Sequence, residues 1–236
     1  MVTDKSPLNQ IDNKPLRERI ADVLRESILT ATLKPGQTIV EATIAEQLGV
    51  SRAPIREALQ ILNTEGLIEV IPYHKTTVRR LTREDIEELY SLRSSLESFA
   101  GKRIIANAPP ADLTLLRVCC DEMLQAAKTN DAQQVSHYDH QFHDTLITLS
   151  HHKLLISMWN TVSQRVKQVL ALRDMRRKDL QEMALSHVPI IDAVEAKNLE
   201  LATELIDNHI MTASDFIVDV WDEDAYGEPH SNDSNK

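Results

Sequence analysis

The 236-residue sequence predicts a mainly α-helical protein in two parts: a head of three short helices closed by a small hairpin, then an all-α antiparallel helical bundle. Three observations predict it. Aromatic residues make up only 4 % of the chain and glycines number five, while Leu, Ile, Ala, Glu and Gln are frequent, a mixture that favours helix over sheet. Apolar residues recur at helical spacing along most of the length, and the β-branched runs gather on either side of Pro72-Tyr73-His74-Lys75. The charge is also divided: residues 1–80 carry 11 Lys and Arg against 10 Asp and Glu, so the formal net charge of −10 resides in the remainder.

Residues 1–14 are polar and read as a flexible tail. From Leu16 to about Thr32, Leu16, Ile20, Val23, Leu24, Ile28 and Leu29 mark a first helix, which Pro35-Gly36 ends. A second runs from about Glu41 to Leu48 and stops at Gly49, which tolerates positive φ. Ser51 is placed to cap a third that extends to about Thr64, with Gly66 closing it. Leu67-Ile-Glu-Val-Ile and Thr76-Thr-Val-Arg then form the arms of a hairpin. Three helices followed by a two-stranded wing, over residues 15–80, are the layout of a winged helix-turn-helix.

From Thr82 the helical period returns, with Glu84 and Asp85 in the first turn, at the positive end of the helix dipole. Six helical segments are expected within 83–221: about 83–107, 110–129, 131–150, 152–176, 179–197 and 199–221. The breaks fall at Pro109-Pro110, Asn130-Asp131, Ser150-His151, the Arg176-Arg177-Lys178 cluster and Asn198. Residues 222–236 are acidic and Ser/Asn-rich, an expected disordered tail. Cys119 and Cys120 are adjacent, which offers neither a disulfide framework nor a CxxC metal spacing, and they read as small core residues. No apolar run approaches the ~18 residues of a membrane span, and Met1–Gln10 lack an apolar signal core, so a cytoplasmic protein is expected.

In the third helix Ile55, Ala58, Leu59 and Leu62 share a face that packs inward, leaving Arg52, Ala53, Arg56, Gln60 and Asn63 outside. Two arginines one turn apart with a small residue between them suit a DNA major groove. Arg grips phosphate or the O6/N7 edge of guanine, and a small residue lets the helix approach. Helix spacing alone leaves open a hairpin whose arginines are merely solvated. The segment AEQLGVSRAPIREAL, followed by LNTEGLI and a wing, resembles the GntR family of bacterial regulators over residues 15–80. The resemblance implies that this helix enters the major groove, with Ser51, Arg52, Ala53 and Arg56 as DNA contacts, and that the wing tip, His74 and Lys75, reaches the minor groove. The chain departs from the family at Lys75, where Gly is usual, and at Glu41-Ala42, where many relatives carry Arg.

The second part holds four polar residues in apolar stripes. Asp139 and His143 lie about 40° apart on one helix wheel, on a face shared with Val135, Phe142 and Leu146. His187 is centred among Leu180, Met183, Ala184, Ile190, Ile191 and Val194; His209 among Ala202, Leu205, Ile206, Ala213 and Phe216. A buried carboxylate needs partners. One Asp and three His are a sound ligand set for a divalent metal ion, Zn²⁺ first with Ni²⁺ or Mn²⁺ possible, leaving positions open for an exogenous ligand. Separate core histidines bonded to backbone carbonyls are the alternative. The pieces DHQFH, HVPIIDA and a His 22 residues on resemble the C-terminal FCD domain of the FadR subfamily; six helices suggest its VanR-like branch. That resemblance implies a small carboxylate effector, such as an organic or sugar acid, held at the metal, with Arg93 facing the cavity. Arg93 also has Glu97 one turn away, so an intrahelical ion pair competes for it. Pro189 falls inside the fifth segment, where it withdraws a hydrogen bond from the Leu185 carbonyl and favours a kink.

The expected function is that of a homodimeric, non-enzymatic transcription regulator whose affinity for a double-stranded DNA operator is set by the effector. The alternatives are a sensor of the ion itself and, more remotely, a metal-dependent hydrolase.

Overall fold

The computed structural model describes residues 14–71, 75–107, 109–172 and 180–221. The contacts divide the chain into two units between Arg79 and Arg80. The predicted tails (apart from Lys14), His74 and the Arg176-Arg177-Lys178 break lie outside the described residues.

The first unit contains α1 (Leu16–Leu29), β1 (Thr38–Ile39), α2 (Glu41–Leu48), α3 (Arg52–Thr64), β2 (Ile68–Ile71) and β3 (Lys75–Val78). Its core joins Ile20, Leu24 and Ile28 of α1 to Ile55, Ala58, Leu59 and Leu62 of α3, the inward face read from the sequence. Burying each of the larger side chains contributes about 1.5–3 kcal/mol. Arg25 on α1 donates from Nε and Nη2 to both carboxylate oxygens of Glu65, at 2.8 and 2.6 Å, fixing the end of α3. Gly49 ends α2 with φ 65°, a conformation in which an L side chain is strained. Ser51 stands at the N-cap of α3, but its hydroxyl makes no cap bond, contrary to the capping role expected.

The wing is larger than predicted. Besides β2 and β3, antiparallel with Ile68 opposite Val78 and Ile71 opposite Lys75, β1 pairs with β3 on its other edge. The sheet order is therefore β1-β3-β2. A two-residue strand is too short for a periodic signal, which is why the sequence did not reveal it.

The elements described in the second unit are all helices: α4 (Arg83–Asn107), α5 (Pro110–Lys128), α6 (Ala132–Leu149), α7 (Lys153–Leu172), α8 (Leu180–Leu185), α9 (Val188–Glu195) and α10 (Leu199–Asp219). None of these helices is long and apolar enough to cross a membrane. At the start of α4, Thr82 and Asp85 cap each other reciprocally: Thr82 N–H donates to the Asp85 carboxylate at 3.0 Å, and Asp85 N–H to the Thr82 hydroxyl at 3.1 Å. The far end of α10 is tied back there, since the Trp221 indole N–H donates to the Leu81 carbonyl at 3.0 Å. Helices α4 and α10 approach closely at Gly101, where a Cβ would stand 2.8 Å from Ile206 Cδ1. Cys119 and Cys120 are buried, as core residues should be.

The expected single helix over 179–197 is corrected to two, α8 and α9, which makes seven described helices rather than six. Pro189 is the physical reason. It has no N–H for the Leu185 carbonyl, and it sits in the first turn of α9, where a proline is tolerated. A turn at Ser186 and His187 interrupts the helix, and this break builds part of the site.

Candidate functional site

Asp139, His143, His187 and His209 converge: one ligand atom from each lies within 4.8 Å of all the others. Helix α6 contributes the first two, the α8–α9 junction the third and α10 the fourth. Asp139, His143 and His187 are buried.

Each imidazole is anchored through its Nδ1. His143 Nδ1–H donates to Glu97 Oε2 at 2.5 Å. His187 Nδ1–H donates to the Met183 carbonyl at 3.0 Å. His209 Nδ1–H donates to Ser186 Oγ at 3.2 Å, and that hydroxyl donates onward to the same Met183 carbonyl at 2.7 Å. The α8–α9 break makes this possible, because the His187 backbone N–H turns to Ala184 and leaves the Met183 carbonyl to the two side chains. These bonds assign the Nε2 lone pairs to the interior. Anchoring of this kind orients histidines for metal binding.

The donor set fits a divalent ion on a specific observation. His187 Nε2 is buried without a hydrogen-bond partner and lies 3.4 Å from Asp139 Oδ1. With Nδ1 already donating, two electron-rich atoms face each other there, an arrangement that a cation between them satisfies. The charge states agree. Burial, with the Arg93 guanidinium nearby, holds the His143 pKa below the usual imidazole value. Burial and the neighbouring His187 and His143 put His209 well below it. Burial alone would raise Asp139, but the interactions with His187, His143 and Arg93 prevail and hold its carboxyl well below the usual range. His143 and His209 are thus held neutral and Asp139 ionised at neutral pH, the forms in which these groups ligate a metal.

Arg93 and Glu97 combine the two roles the sequence left open. Arg93 Nε donates to Glu97 Oε1 at 2.7 Å, with both side chains buried. The guanidinium carbon also lies 5.3 Å from the Tyr90 ring centroid and Arg93 lines a cavity of about 250 Å³ together with Asp139, His143 and His209. The cavity is completed by Glu182, Ser186, Asn208 and Thr212 and by apolar Leu170, Leu205 and Ile217. Sequence reasoning treated Glu97 only as a neighbour of Arg93. Its position in the inward stripe of α4, between Tyr90 and Ile104, was the available signal. Burial tends to raise its carboxyl, but His143 and Arg93 outweigh that and hold it below the usual value. His137, His140, His151 and His152 lie outside the ligand set; His140 pairs with Asp144 at 3.1 Å.

In the first unit, Ser51 at the N-cap of α3 and Arg52, Ala53 and Arg56 on that helix are exposed, and Lys75 is exposed at the start of β3. Arg52 has no ion pair among the described residues. Arg56 does: its Nε and Nη2 donate to Glu41 Oε1 and Oε2 at 3.2 and 2.9 Å.

Two family models match the chain: residues 16–78 match the gntR family of bacterial regulatory proteins, and residues 88–212 the FCD domain. The probable D-xylose utilization operon transcriptional repressor of Paenarthrobacter nicotinovorans is 31 % identical, over 81 % of this chain and 84 % of that protein. The gluconate operon transcriptional repressor of Bacillus subtilis (strain 168) is 29 % identical, over 86 % and 85 %. Among solved structures, a GntR transcriptional regulator from Rhodococcus sp. RHA1 is similar with a TM-score of 0.73 and 28 % identity, over 87 % of this chain and 99 % of that one. With a winged helix-turn-helix in one unit and an all-helical second unit, the chain belongs to the GntR family of bacterial transcriptional regulators that carry an FCD domain.

Proposed function

We propose that the protein is a homodimeric repressor whose grip on a double-stranded operator is modulated by a small organic or sugar acid bound in the α4–α6–α10 cavity beside a divalent ion, Zn²⁺ first. One observation carries this reading: Asp139, His143 and His209, which converge with the buried His187, share a wall with Arg93 in a cavity of about 250 Å³. Asp139, His143, His187 and His209 hold the ion, which supplies open coordination positions for carboxylate or hydroxyl oxygen. Arg93 offers a hydrogen-bonding fork to a second oxygen pair of the same ligand. The volume suits a small acid and is below the usual range for larger ligands, about 300–1,000 Å³. The relative whose name mentions gluconate, a sugar acid, is in keeping with such a ligand.

The head reads DNA through Ser51, Arg52, Ala53 and Arg56, with Lys75 and His74 at the wing. Residues 15–80 form the DNA-binding domain and 83–221 the effector domain. A dimer follows from the two half-sites that helix-turn-helix proteins usually occupy, and the cytoplasm from the DNA partner. Within the family we assign the FadR subfamily and its VanR-like branch, with α8 and α9 together standing where the fifth of six helices was expected. Elemental analysis and native mass spectrometry of the purified chain test the site. About one ion per chain is expected in the wild type, and its loss in His187→Ala and His209→Ala; full metal content in both variants would overturn it. The anchored histidines also favour a second reading, in which the ion itself is the signal. DNA affinity that follows zinc and ignores carboxylates would select it.

A further inference from the structure

The Glu41–Arg56 pair divides the labour of the two arginines on α3. We infer that Glu41 is a specificity-determining residue that fixes Arg56 as a reader of guanine in the major groove and leaves Arg52 to the phosphates; this rests on the reading that α3 enters the groove.

The argument begins with the guanidinium, whose five N–H groups form two bidentate edges. Glu41 occupies the side-on edge, Nε and Nη2, in two bonds of 3.2 and 2.9 Å. What remains is the end-on edge, one N–H from each Nη. Those two donors match the O6 and N7 acceptors of guanine. Glu41 is itself well held: it stands in the first turn of α2, where the helix dipole favours a carboxylate. Its side chain is about half as exposed as that of Arg56, 31 % against 66 %. The pair therefore offers a braced fork on an outward face.

The charge of Glu41 works in the same direction. A carboxylate beside Arg56 repels phosphate, so the arginine gains little by swinging to the backbone. Arg52, one turn earlier with no ion pair among the described residues, keeps that option. Glu41 thus lowers affinity for DNA in general and raises discrimination at one base pair.

The test is selection from a randomised duplex pool with the full chain, comparing wild type, Glu41→Gln, Arg52→Ala and Arg56→Ala, each checked for fold by circular dichroism. Wild type is expected to fix a guanine at one position of each half-site, and Arg56→Ala to lose it. Glu41→Gln is expected to relax that guanine by roughly ten-fold. The same variant should bind an unrelated duplex more tightly, with a log–log salt slope steeper by about 0.9, the signature of one added phosphate contact. Glu41→Gln that tightens binding while keeping the full guanine preference would overturn the inference. So would a motif untouched by both Glu41→Gln and Arg56→Ala but abolished by Arg52→Ala, which leaves the groove assignment standing. A wild type that enriches no motif would overturn both.

Discussion

Replacing Glu97 by Gln keeps the size of the side chain and removes its charge. In the folded protein that charge faces two buried partners, Arg93 at 2.7 Å and His143 at 2.5 Å. Leaving the Arg93 guanidinium without its principal counter-ion costs about 3–5 kcal/mol, the usual result of breaking a buried pair from one side. At roughly 2–4 °C per kcal/mol for a chain of this size, the melting temperature of metal-free protein should fall by about 6–20 °C. The second effect is separate. An amide at position 97 holds the His143 Nδ1–H less firmly than a carboxylate does, and loss of such an orienting partner weakens metal binding by about 10–100-fold. Thermal melts followed by circular dichroism read the first quantity, and zinc competition against a chromophoric chelator reads the second. Adding Arg93→Met should restore most of the stability, because it removes the stranded cation, while zinc affinity stays low. Glu97→Gln protein that melts and binds zinc as the wild type does would refute the claim that one carboxylate serves both partners.

Three further outcomes follow from the same geometry. Pro189→Ala restores an N–H to the fifth segment and lets α8 and α9 join; the Met183 carbonyl then returns to the backbone, and zinc binding should weaken by about ten-fold with no fall in the metal-free melting temperature. Arg52→Ala should weaken binding to all duplexes alike and reduce the salt slope by about one phosphate, as read by fluorescence anisotropy across a salt series. For metal-free protein, the folded-state pKa values of His143 and His209 are depressed. The unfolded chain therefore takes up those protons first, and stability falls as pH drops below about 6.5, by up to about 1.4 kcal/mol per pH unit for each histidine. The depressed carboxyls of Glu97 and Asp139 act lower on the scale: their contribution is present above about pH 4 and is lost as pH falls through their folded-state values. Urea unfolding midpoints between pH 7.5 and 5 should thus decline steadily; a flat profile would contradict the buried, neutral state of the two imidazoles.

Much of this molecule could be read before its structure. Helices long enough to show several turns of apolar spacing, such as α4 and α10, were legible, and so were four polar residues interrupting those stripes. Features that depend on what lies across the fold were not. The strand β1 exists because β3 offers it an edge, and two residues carry no period of their own. Glu97 looked like half of an i,i+4 surface pair, since nothing in the local pattern shows that His143, 46 positions later, meets its other oxygen. The role of Ser186 and the Met183 carbonyl depends on a break that Pro189 announced as a kink, without saying which carbonyl it would set free. The bracing of Arg56 by Glu41 spans 15 residues and two helices, so the arginine appeared merely exposed.

The most direct test of the central claim is the affinity of the full chain for a duplex carrying its selected motif, measured by anisotropy after chelation, with zinc, and with zinc plus a panel of hydroxy and sugar acids. Coupling between the cavity and the head predicts that at least one acid shifts the affinity by about 5–150-fold, and that Arg93→Ala and His187→Ala abolish the shift while the metal-free variants still bind the motif. Binding that stays constant through chelation, zinc and every acid would contradict it.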